Sequence, residues 1–380
     1  MAMNLPDLLK ATADRGGSDL HLSAGSPPQV RVNGHLQRLD LPVLTPDVLK
    51  ALAYSVLTDA QKKKFEETWE LDLAFGLQGV GRFRANVFTQ RGAVGAVFRM
   101  IPESIKSLDE LGLPPVLATL ADRPRGLVLV TGPTGSGKST TLAAMIDRIN
   151  EDRPGHILTI EDPIEYLHRH KTGLVNQREL HSDTKSFTLA LKAALREDPD
   201  VVLVGEMRDL ETMEAAMKLA ETGHLTLATL HTNSAAQTVT RIIDAFPAHQ
   251  QAQIRTQLSL VLEGIVCQAL LPKVGGEGRI AALEILIANP AIRNLIRDDK
   301  IHQIYGTMQA GQEKYGMQTM NQSLQKLVDR KLVSRDVALN TSSNRDELIA
   351  ALERGVGAVP APHVIGTRDQ ALGASGARST

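Results

Sequence analysis

The spacing of apolar side chains in the first hundred residues predicts a small mixture of helices and strands. Leu5, Leu8 and Leu9 recur at helical spacing, whereas residues 82–88 alternate between polar and apolar side chains, as in a half-buried strand. The same reasoning predicts helices at 46–58 and 59–68, strands at 19–23, 71–75 and 94–100, and a hairpin at 30–36 that turns at Asn33-Gly34. We therefore expect a small α+β domain over residues 1–100, followed by a linker over residues 101–112 that contains proline.

The pattern changes after residue 113, where short apolar runs alternate with helical segments. Such alternation is typical of a parallel sheet with right-handed helical crossovers, so the expected fold class is α/β. Strands are predicted at 127–130, 157–160, 201–204 and 225–230, with helices at 187–196 and 211–222 between them. Further along, we predict a long apolar-striped helix at 250–271, a strand at 279–287, a helix at 291–297 and short helices to about 353. This second domain would cover residues 113–354, and residues 355–380, rich in Gly, Ala, Pro and Ser, would form a disordered tail.

Composition narrows the classes of protein that fit this pattern. Hydrophobic residues make up 42% of the chain and aromatic residues only 3%, so the cores must be aliphatic. A formal net charge of −1 gives no support to bulk electrostatic binding of nucleic acid. The single cysteine, Cys267, excludes an intrachain disulfide and a multi-cysteine zinc site, and we expect a buried thiol within the long helix. No apolar run is long enough to cross a bilayer, which predicts a cytosolic protein that reaches any membrane through a partner.

One stretch carries most of the chemistry. It fits the pattern G-x-x-x-x-G-K-[ST] of a phosphate-binding loop, and it lies between a predicted strand and a predicted helix. Its glycines let the backbone approach phosphate closely, and the helix N-terminus adds positive potential. Lys138 would reach the β- and γ-phosphates of a nucleotide, and the Ser139 hydroxyl would bind Mg²⁺. The residues of the loop are Gly132, Pro133, Thr134, Gly135, Ser136, Gly137, Lys138 and Ser139.

Acidic residues follow two of the predicted strands. Glu206 comes just after the apolar run 201–204, as in the Walker B element of nucleotide-binding proteins, which predicts a position near Ser139 and the metal. Glu161, Asp162 and Glu165 follow the run 157–160. One of these carboxylates can orient or deprotonate an attacking water molecule, but their spacing does not select which one.

Two histidines and two arginines have weaker signals. His224 and His231 bracket the predicted strand 225–230, so His231 at its carboxyl end is placed to contact the γ-phosphate, whereas His224 fits a structural role or a subunit contact better. Arg82 and Arg84 share one face of a predicted strand, and from spacing alone this is a solvated face.

Taken together, these residues resemble the PilT family of type IV pilus retraction ATPases, within the secretion-ATPase superfamily. The resemblance covers roughly residues 4–340. The matching stretches are 132–140, 159–166, 203–209 and 223–234 in the second domain, 18–25 and 81–84 in the first, and 290–297 near the C-terminal end.

The resemblance implies a PAS-like first domain, a RecA-like ATPase domain and a homo-hexamer that binds ATP with Mg²⁺. It implies that Glu165 is the catalytic base and that Glu206 is the Walker B acid. Thr140 belongs to the matching loop, and His224 and His231 match the family's His box. It also assigns Arg82, Arg84 and Arg99 to strands that approach the triphosphate.

The function implied by the resemblance is an ATP-driven motor that retracts type IV pili and supports twitching motility. It would work at the cytoplasmic face of the inner membrane on a platform protein of the pilus, alongside a paralogous retraction ATPase and without direct contact to nucleic acid. The alternatives are an assembly or type II secretion ATPase, an accessory PilU-like retraction ATPase, a nucleic-acid translocase and a regulatory module that binds ATP without hydrolysing it.

Overall fold

The computed structural model describes residues 3–355, except for residues 33, 103 and 277. Within that part of the chain the strands form two sheets, one of six strands and one of seven. Each sheet has its own hydrophobic core, the first between Leu5 and Phe98 and the second between Leu108 and Met317. Two cores support the proposed division into two domains. The predicted tail lies outside the described residues, apart from Gly355.

The first sheet is antiparallel, and helices accompany its strands. Its elements are α1 (Leu5–Asp14), β1 (Asp19–Leu22), β2 (Gln29–Val32), β3 (His35–Arg38), α2 (Pro46–Tyr54), α3 (Asp59–Thr68), β4 (Glu70–Leu77), β5 (Gly81–Gln90) and β6 (Ala93–Ile101). The strand order is β3-β2-β1-β6-β5-β4. On β5, Phe83, Ala85 and Val87 are buried and the polar side chains between them, including Arg84, lie on the opposite face, as their alternation predicts.

Helix α2 is shorter than predicted. It ends at Tyr54 rather than near residue 58, because Thr58 begins the next helix instead. The Thr58 side chain accepts a hydrogen bond from the backbone N–H of Gln61, and the Gln61 side chain bonds back to Thr58, which forms a capping box. The chain therefore needs residues 55–57 for the turn between the two helices.

The second sheet contains the phosphate-binding loop. Its elements are α4 (Val116–Ala121), β7 (Gly126–Thr131), α5 (Lys138–Asp152), β8 (His156–Glu161), β9 (Leu174–Glu179), α6 (Phe187–Ala194), β10 (Val201–Val204), α7 (Leu210–Glu221), β11 (Leu225–Leu230), α8 (Ala235–Asp244), α9 (Ala248–Val261), β12 (Leu262–Pro272) and β13 (Arg279–Ile287). The strand order is β13-β12-β7-β11-β10-β8-β9, and neighbours are parallel except β12 and β13. Every residue of β7, β10 and β11 is buried, as expected for central strands covered on both faces.

The prediction of one long helix at residues 250–271 is wrong. Helix α9 ends at Val261, and β12 follows it directly and pairs in parallel with β7. Most of β12 is buried, and its largely apolar sequence has no clear alternation that separates a strand from a helix. Cys267 therefore lies in a strand, where complete burial raises the pKa of its thiol far above the usual range.

Short helices complete the C-terminal part. They are α10 (Pro290–Arg297), a 3₁₀ turn (Ile301–Gln303), α11 (Ile304–Ala310), α12 (Gln312–Tyr315), α13 (Met320–Asp329), α14 (Arg335–Thr341) and α15 (Arg345–Gly355). Leu324 and Leu348 of these helices form a small core with Leu271 and Ala282 of the β12–β13 hairpin. Among the residues that the structure describes, no helix is both long and apolar enough to cross a membrane.

Candidate active site

A cavity of about 650 Å³ lies where the first sheet meets the phosphate-binding loop of the second. Arg84 and Arg99 line it from the first sheet. From the second sheet it is lined by six residues of the stretch 132–140, by the acids at the ends of β8 and β10, and by His231. The loop residues in the lining are Thr134, Gly135, Gly137, Lys138, Ser139 and Thr140. The structure thus brings together most of the side chains that the sequence singled out.

The loop itself connects the end of β7 to the first residue of α5, as the motif predicts. Gly132, Gly135 and Gly137 have φ values of 140°, 78° and 88°, which residues other than glycine rarely adopt. Gly132, Pro133 and Ser136 belong to the loop without lining the cavity. Because α5 begins at this point, the positive end of its dipole and its free N–H groups face the cavity. This arrangement suits an anion such as a phosphate group.

Lys138 is held against the loop. Its Nζ atom donates hydrogen bonds to the carbonyl oxygens of Gly132 at 2.7 Å and Pro133 at 3.1 Å. Burial lowers the pKa of Lys138, and the carboxylate of Glu206 acts in the opposite direction. The amine is therefore fixed in the cavity, beside the loop that would hold phosphates.

The acids after β8 lie in different environments. Glu161 is buried, and it accepts hydrogen bonds from Thr159 Oγ1 at 2.6 Å and from Gln177 Nε2 at 3.3 Å. Burial raises the pKa of Glu161 although these hydrogen bonds oppose it. The side chain of Glu165, by contrast, is 46% exposed and lies at the cavity. Glu165 is thus more accessible than Glu161 to a water molecule in the cavity.

Glu206 and His231 follow different strands, β10 and β11, and meet at the cavity. The Oε1 atom of Glu206 lies 2.9 Å from Nε2 of His231, and Oε2 lies 2.9 Å from Nη2 of Arg208. Burial raises the pKa of Glu206, but the contacts with Arg208 and His231 outweigh it and hold this pKa below its usual value. Arg208 belongs to no catalytic motif that its spacing alone would reveal. Its position two residues after Glu206 is the signal that was available.

Arg84 and Arg99 occupy directly opposed positions on β5 and β6. Like charges at opposed positions of a sheet repel each other, so each needs a negative partner. Arg84 Nη1 lies 3.9 Å from Glu165 Oε1, and Arg99 Nε donates a hydrogen bond of 2.8 Å to the buried carboxylate of Asp19. An anionic ligand in the cavity would give both guanidinium groups a further partner.

Two predicted residues outside the loop also lie away from the cavity lining. Arg82 Nη2 donates a hydrogen bond of 2.7 Å to Glu179, at the end of β9. His224 precedes β11 at the end opposite His231, and its Nδ1 atom lies 3.0 Å from the carbonyl oxygen of Leu219. A contact of either side chain with nucleotide remains a prediction from the family resemblance.

Comparison with known proteins gives consistent matches. Residues 14–349 match the model of the type II/IV secretion system protein family. The type IV pilus retraction ATPase PilT of Pseudomonas aeruginosa is 54% identical over 336 residues, which are 88% of this chain and 97% of that protein. The type IV pilus ATPase PilU of the same organism is 43% identical, over 92% of this chain and 93% of its own length.

A solved structure agrees with these matches. The crystal structure of the pilus retraction motor PilT with bound ADP is similar to this chain with a TM-score of 0.86 and 53% identity, over 92% of this chain and 99% of the other. This likeness confirms the expected α/β fold class, with a RecA-like ATPase sheet and a smaller N-terminal sheet. The chain therefore belongs to the type II/IV secretion system protein family and, within it, to the PilT family of ATPases.

Proposed function

We propose that this chain hydrolyses ATP and uses the energy to retract type IV pili. The observation that carries the proposal is the cavity, where a phosphate-binding loop, exposed carboxylates and two arginines of the other sheet converge. The relatives support the pilus assignment, since the Pseudomonas protein is a type IV pilus retraction ATPase and the similar crystal structure is that of a pilus retraction motor with ADP.

In the proposed reaction the chain places the triphosphate and the water molecule for in-line attack. Residues 132–140 hold the phosphates through backbone N–H groups and the Lys138 amine. Glu165 orients or deprotonates the water, for which its exposure in the cavity is suitable. Arg84 and Arg99 stabilise the negative charge that develops on the transferred phosphoryl group.

Ser139 and Glu206 are the residues that would hold Mg²⁺. Both line the cavity, and they offer the oxygen ligands that this ion prefers. Because the pKa of Glu206 is lowered, its carboxylate stays ionised and can bind the metal directly or through water. When bound, Mg²⁺ neutralises charge on the phosphates.

The family resemblance supports a homo-hexamer at the cytoplasmic face of the inner membrane. In this arrangement, closure of one domain on the other during hydrolysis deforms the ring, which drives a platform protein to withdraw pilin subunits from the fibre. Arg84 and Arg99 would report nucleotide binding to the first domain, because they lie on its sheet and face the cavity.

An accessory retraction ATPase is the second candidate. The observation that favours it is the 43% identity to PilU over nearly the whole of both chains. An assembly or type II secretion ATPase is a third candidate, since the family model covers type II and type IV systems together.

One experiment separates these functions. Glu165→Gln should abolish hydrolysis while ATP binding continues, and cells with this as their only copy should carry excess surface pili and fail to twitch. Glu151→Gln is a matched control, because Glu151 is 67% exposed, lies 3.7 Å from Lys171 and is outside the cavity. Cells without pili would indicate an assembly motor, whereas unchanged pili with normal twitching would indicate either an accessory motor or another substrate. Loss of type II secretion in the same cells would then identify a secretion ATPase.

A further inference from the structure

Gln268 is a polar side chain in the middle of an apolar strand, next to the phosphate-binding loop. It lies on β12 and is only 4% exposed, and its neighbour Cys267 pairs with Thr131 at the end of β7. A buried amide must be fully hydrogen-bonded to avoid a large desolvation cost. Its hydrogen-bond partners therefore indicate what the residue does.

Both ends of the Gln268 amide bind the loop or the helix that follows it. The Nε2 atom donates a hydrogen bond of 2.7 Å to the carbonyl oxygen of Ser136. The Oε1 atom accepts a hydrogen bond of 2.8 Å from Thr141 Oγ1, in the first turn of α5. One side chain thus connects the last turn of the loop to the start of its helix.

The glycines of the loop pack against the same residue. A Cβ atom at Gly132 would clash with the backbone oxygen of Gln268, and a Cβ atom at Gly137 would lie 2.8 Å from its Nε2 atom. The loop and Gln268 are therefore in direct contact at two positions besides the hydrogen bonds. This explains why the space beside Gln268 accepts only glycine at these points.

The hydrogen bond to Ser136 determines the direction of an N–H group. The peptide that joins Ser136 to Gly137 is planar, so its C=O and N–H point in opposite directions. Because Gln268 binds the C=O, the Gly137 N–H points away from Gln268. Gly137 lines the cavity and Gln268 does not. An unanchored peptide could turn its oxygen toward a phosphate and repel it.

We propose that Gln268 is a positioning residue that holds the phosphate-binding loop in its phosphate-accepting shape before nucleotide arrives. The inference rests on the proposed nucleotide-binding function of the cavity. Such preorganisation lowers the ordering cost of binding, so its loss weakens affinity for every ligand that places a phosphate in the loop. ADP and ATP should be affected alike, because both have a β-phosphate.

The test compares two buried glutamines. Gln268→Met removes both hydrogen bonds at similar volume. Gln318→Met is the matched control, because Gln318 is 8% exposed and its amide bonds to Leu283 O at 3.0 Å and Lys326 Nζ at 3.2 Å, away from the loop. The dissociation constant for ADP and the midpoint of thermal unfolding are measured on the full chain. We expect both variants to lower the midpoint, and only Gln268→Met to weaken ADP binding, by about tenfold.

Equal ADP affinity in wild type and Gln268→Met would overturn the inference, as would an equal loss in Gln318→Met. If the wild type itself failed to bind ADP, the proposed nucleotide-binding function would be wrong instead. Should Gln268→Met fail to fold, Thr141→Val takes its place, because valine has the shape of threonine but cannot donate to Gln268 Oε1, so the amide is then held at one end only. It should also weaken ADP binding, and wild-type affinity in that variant would contradict the proposal.

Discussion

Arg82 on the first sheet donates a hydrogen bond of 2.7 Å to Glu179 on the second, which lies 97 positions further along the chain. The same carboxylate accepts a hydrogen bond of 3.1 Å from the backbone N–H of Ile164, the neighbour of Glu165. Ser182 Oγ provides a third donor at 3.1 Å. Glu179 therefore connects the first sheet to the turn that carries the proposed catalytic base.

Removal of Arg82 should destabilise the protein through this carboxylate. The Glu179 side chain is only 5% exposed, so Arg82→Met leaves a buried charge with neutral donors alone, at a cost of about 1–3 kcal/mol in the free energy of unfolding. Denaturant unfolding of the variant measures this cost. The double variant Arg82→Met/Glu179→Gln should recover part of the loss. Equal costs of Arg82→Met with and without Glu179→Gln would show that the two residues are not coupled.

Arg84 should affect hydrolysis rather than stability. Its side chain is 40% exposed at the cavity and lies 3.9 Å from Glu165. If it stabilises charge in the transition state, Arg84→Gln should lower kcat roughly 100-fold with little change in the unfolding midpoint. Steady-state ATPase kinetics measure this effect.

Arg38→Gln is a suitable control for the arginine prediction. Arg38 also lies on the first sheet, where it is exposed on the edge strand β3. It does not line the cavity, so kcat should stay close to that of the wild type. If both variants reduce kcat equally, kcat depends on the overall positive charge of the first sheet, and Arg84 has no specific role in hydrolysis.

The sequence predicted the strands that have a clear local signal. Period-two alternation predicted β5, and apolar runs predicted β7, β10 and β11. Each of these patterns can be recognised within one short segment, without knowing which strand it pairs with. Strand β12 was wrongly predicted as helix. It is buried on both faces, so its sequence lacks the alternation of polar and apolar residues that marks a half-buried strand. Strand β9, with the sequence LVNQRE, was not predicted, because it is largely polar and is stabilised by parallel pairing with β8.

The same distinction applies to the site. A contiguous motif predicted the loop, and the ends of strands predicted that Glu206, His231 and the acids at 161–165 would lie at one edge, because parallel strands bring their carboxyl ends together. The choice of Glu165 among those acids came from the family resemblance. Spacing did not predict that Arg82 would bind Glu179, nor that Gln268 would lie against the loop. Both contacts join distant segments through strands whose positions the sequence left open.

The glycines of the loop should differ in their tolerance of alanine. Gly132 has φ 140° and would place a Cβ atom against Gln268, whereas Gly135 has φ 78° and open space within 4 Å. Gly132→Ala should therefore distort the loop and weaken ADP binding by at least about tenfold, while Gly135→Ala has only a backbone strain of about 1–2 kcal/mol. Isothermal titration calorimetry measures the affinity of each variant for ADP. Equal affinities would mean that the loop adapts to a side chain at either position.

His168 lines a small cavity together with Glu161 and Glu165. Its Nδ1 atom is buried without a hydrogen-bond partner among the described residues. Burial lowers the pKa of His168 to about 4, although the nearby Asp147 carboxylate opposes the shift, and Lys171 adds to it. The unfolded chain binds a proton below about pH 6.5, whereas the folded protein does so only near pH 4. Stability should therefore fall as the pH decreases through this window.

Between pH 7.5 and pH 5, this one group should reduce the free energy of unfolding by about 2 kcal/mol, because the unfolded state gains the proton and the folded state does not. Denaturant unfolding at both pH values, in wild type and in His168→Phe, isolates the contribution, since phenylalanine fills a similar volume and does not titrate. The variant should lose about 2 kcal/mol less than the wild type over this range. His35→Gln, a change on the exposed strand β3, should keep the wild-type loss. Identical losses in wild type and His168→Phe would mean that His168 takes up a proton in the folded protein as readily as in the unfolded chain. Burial would then not lower the pKa of His168, and the prediction would be wrong.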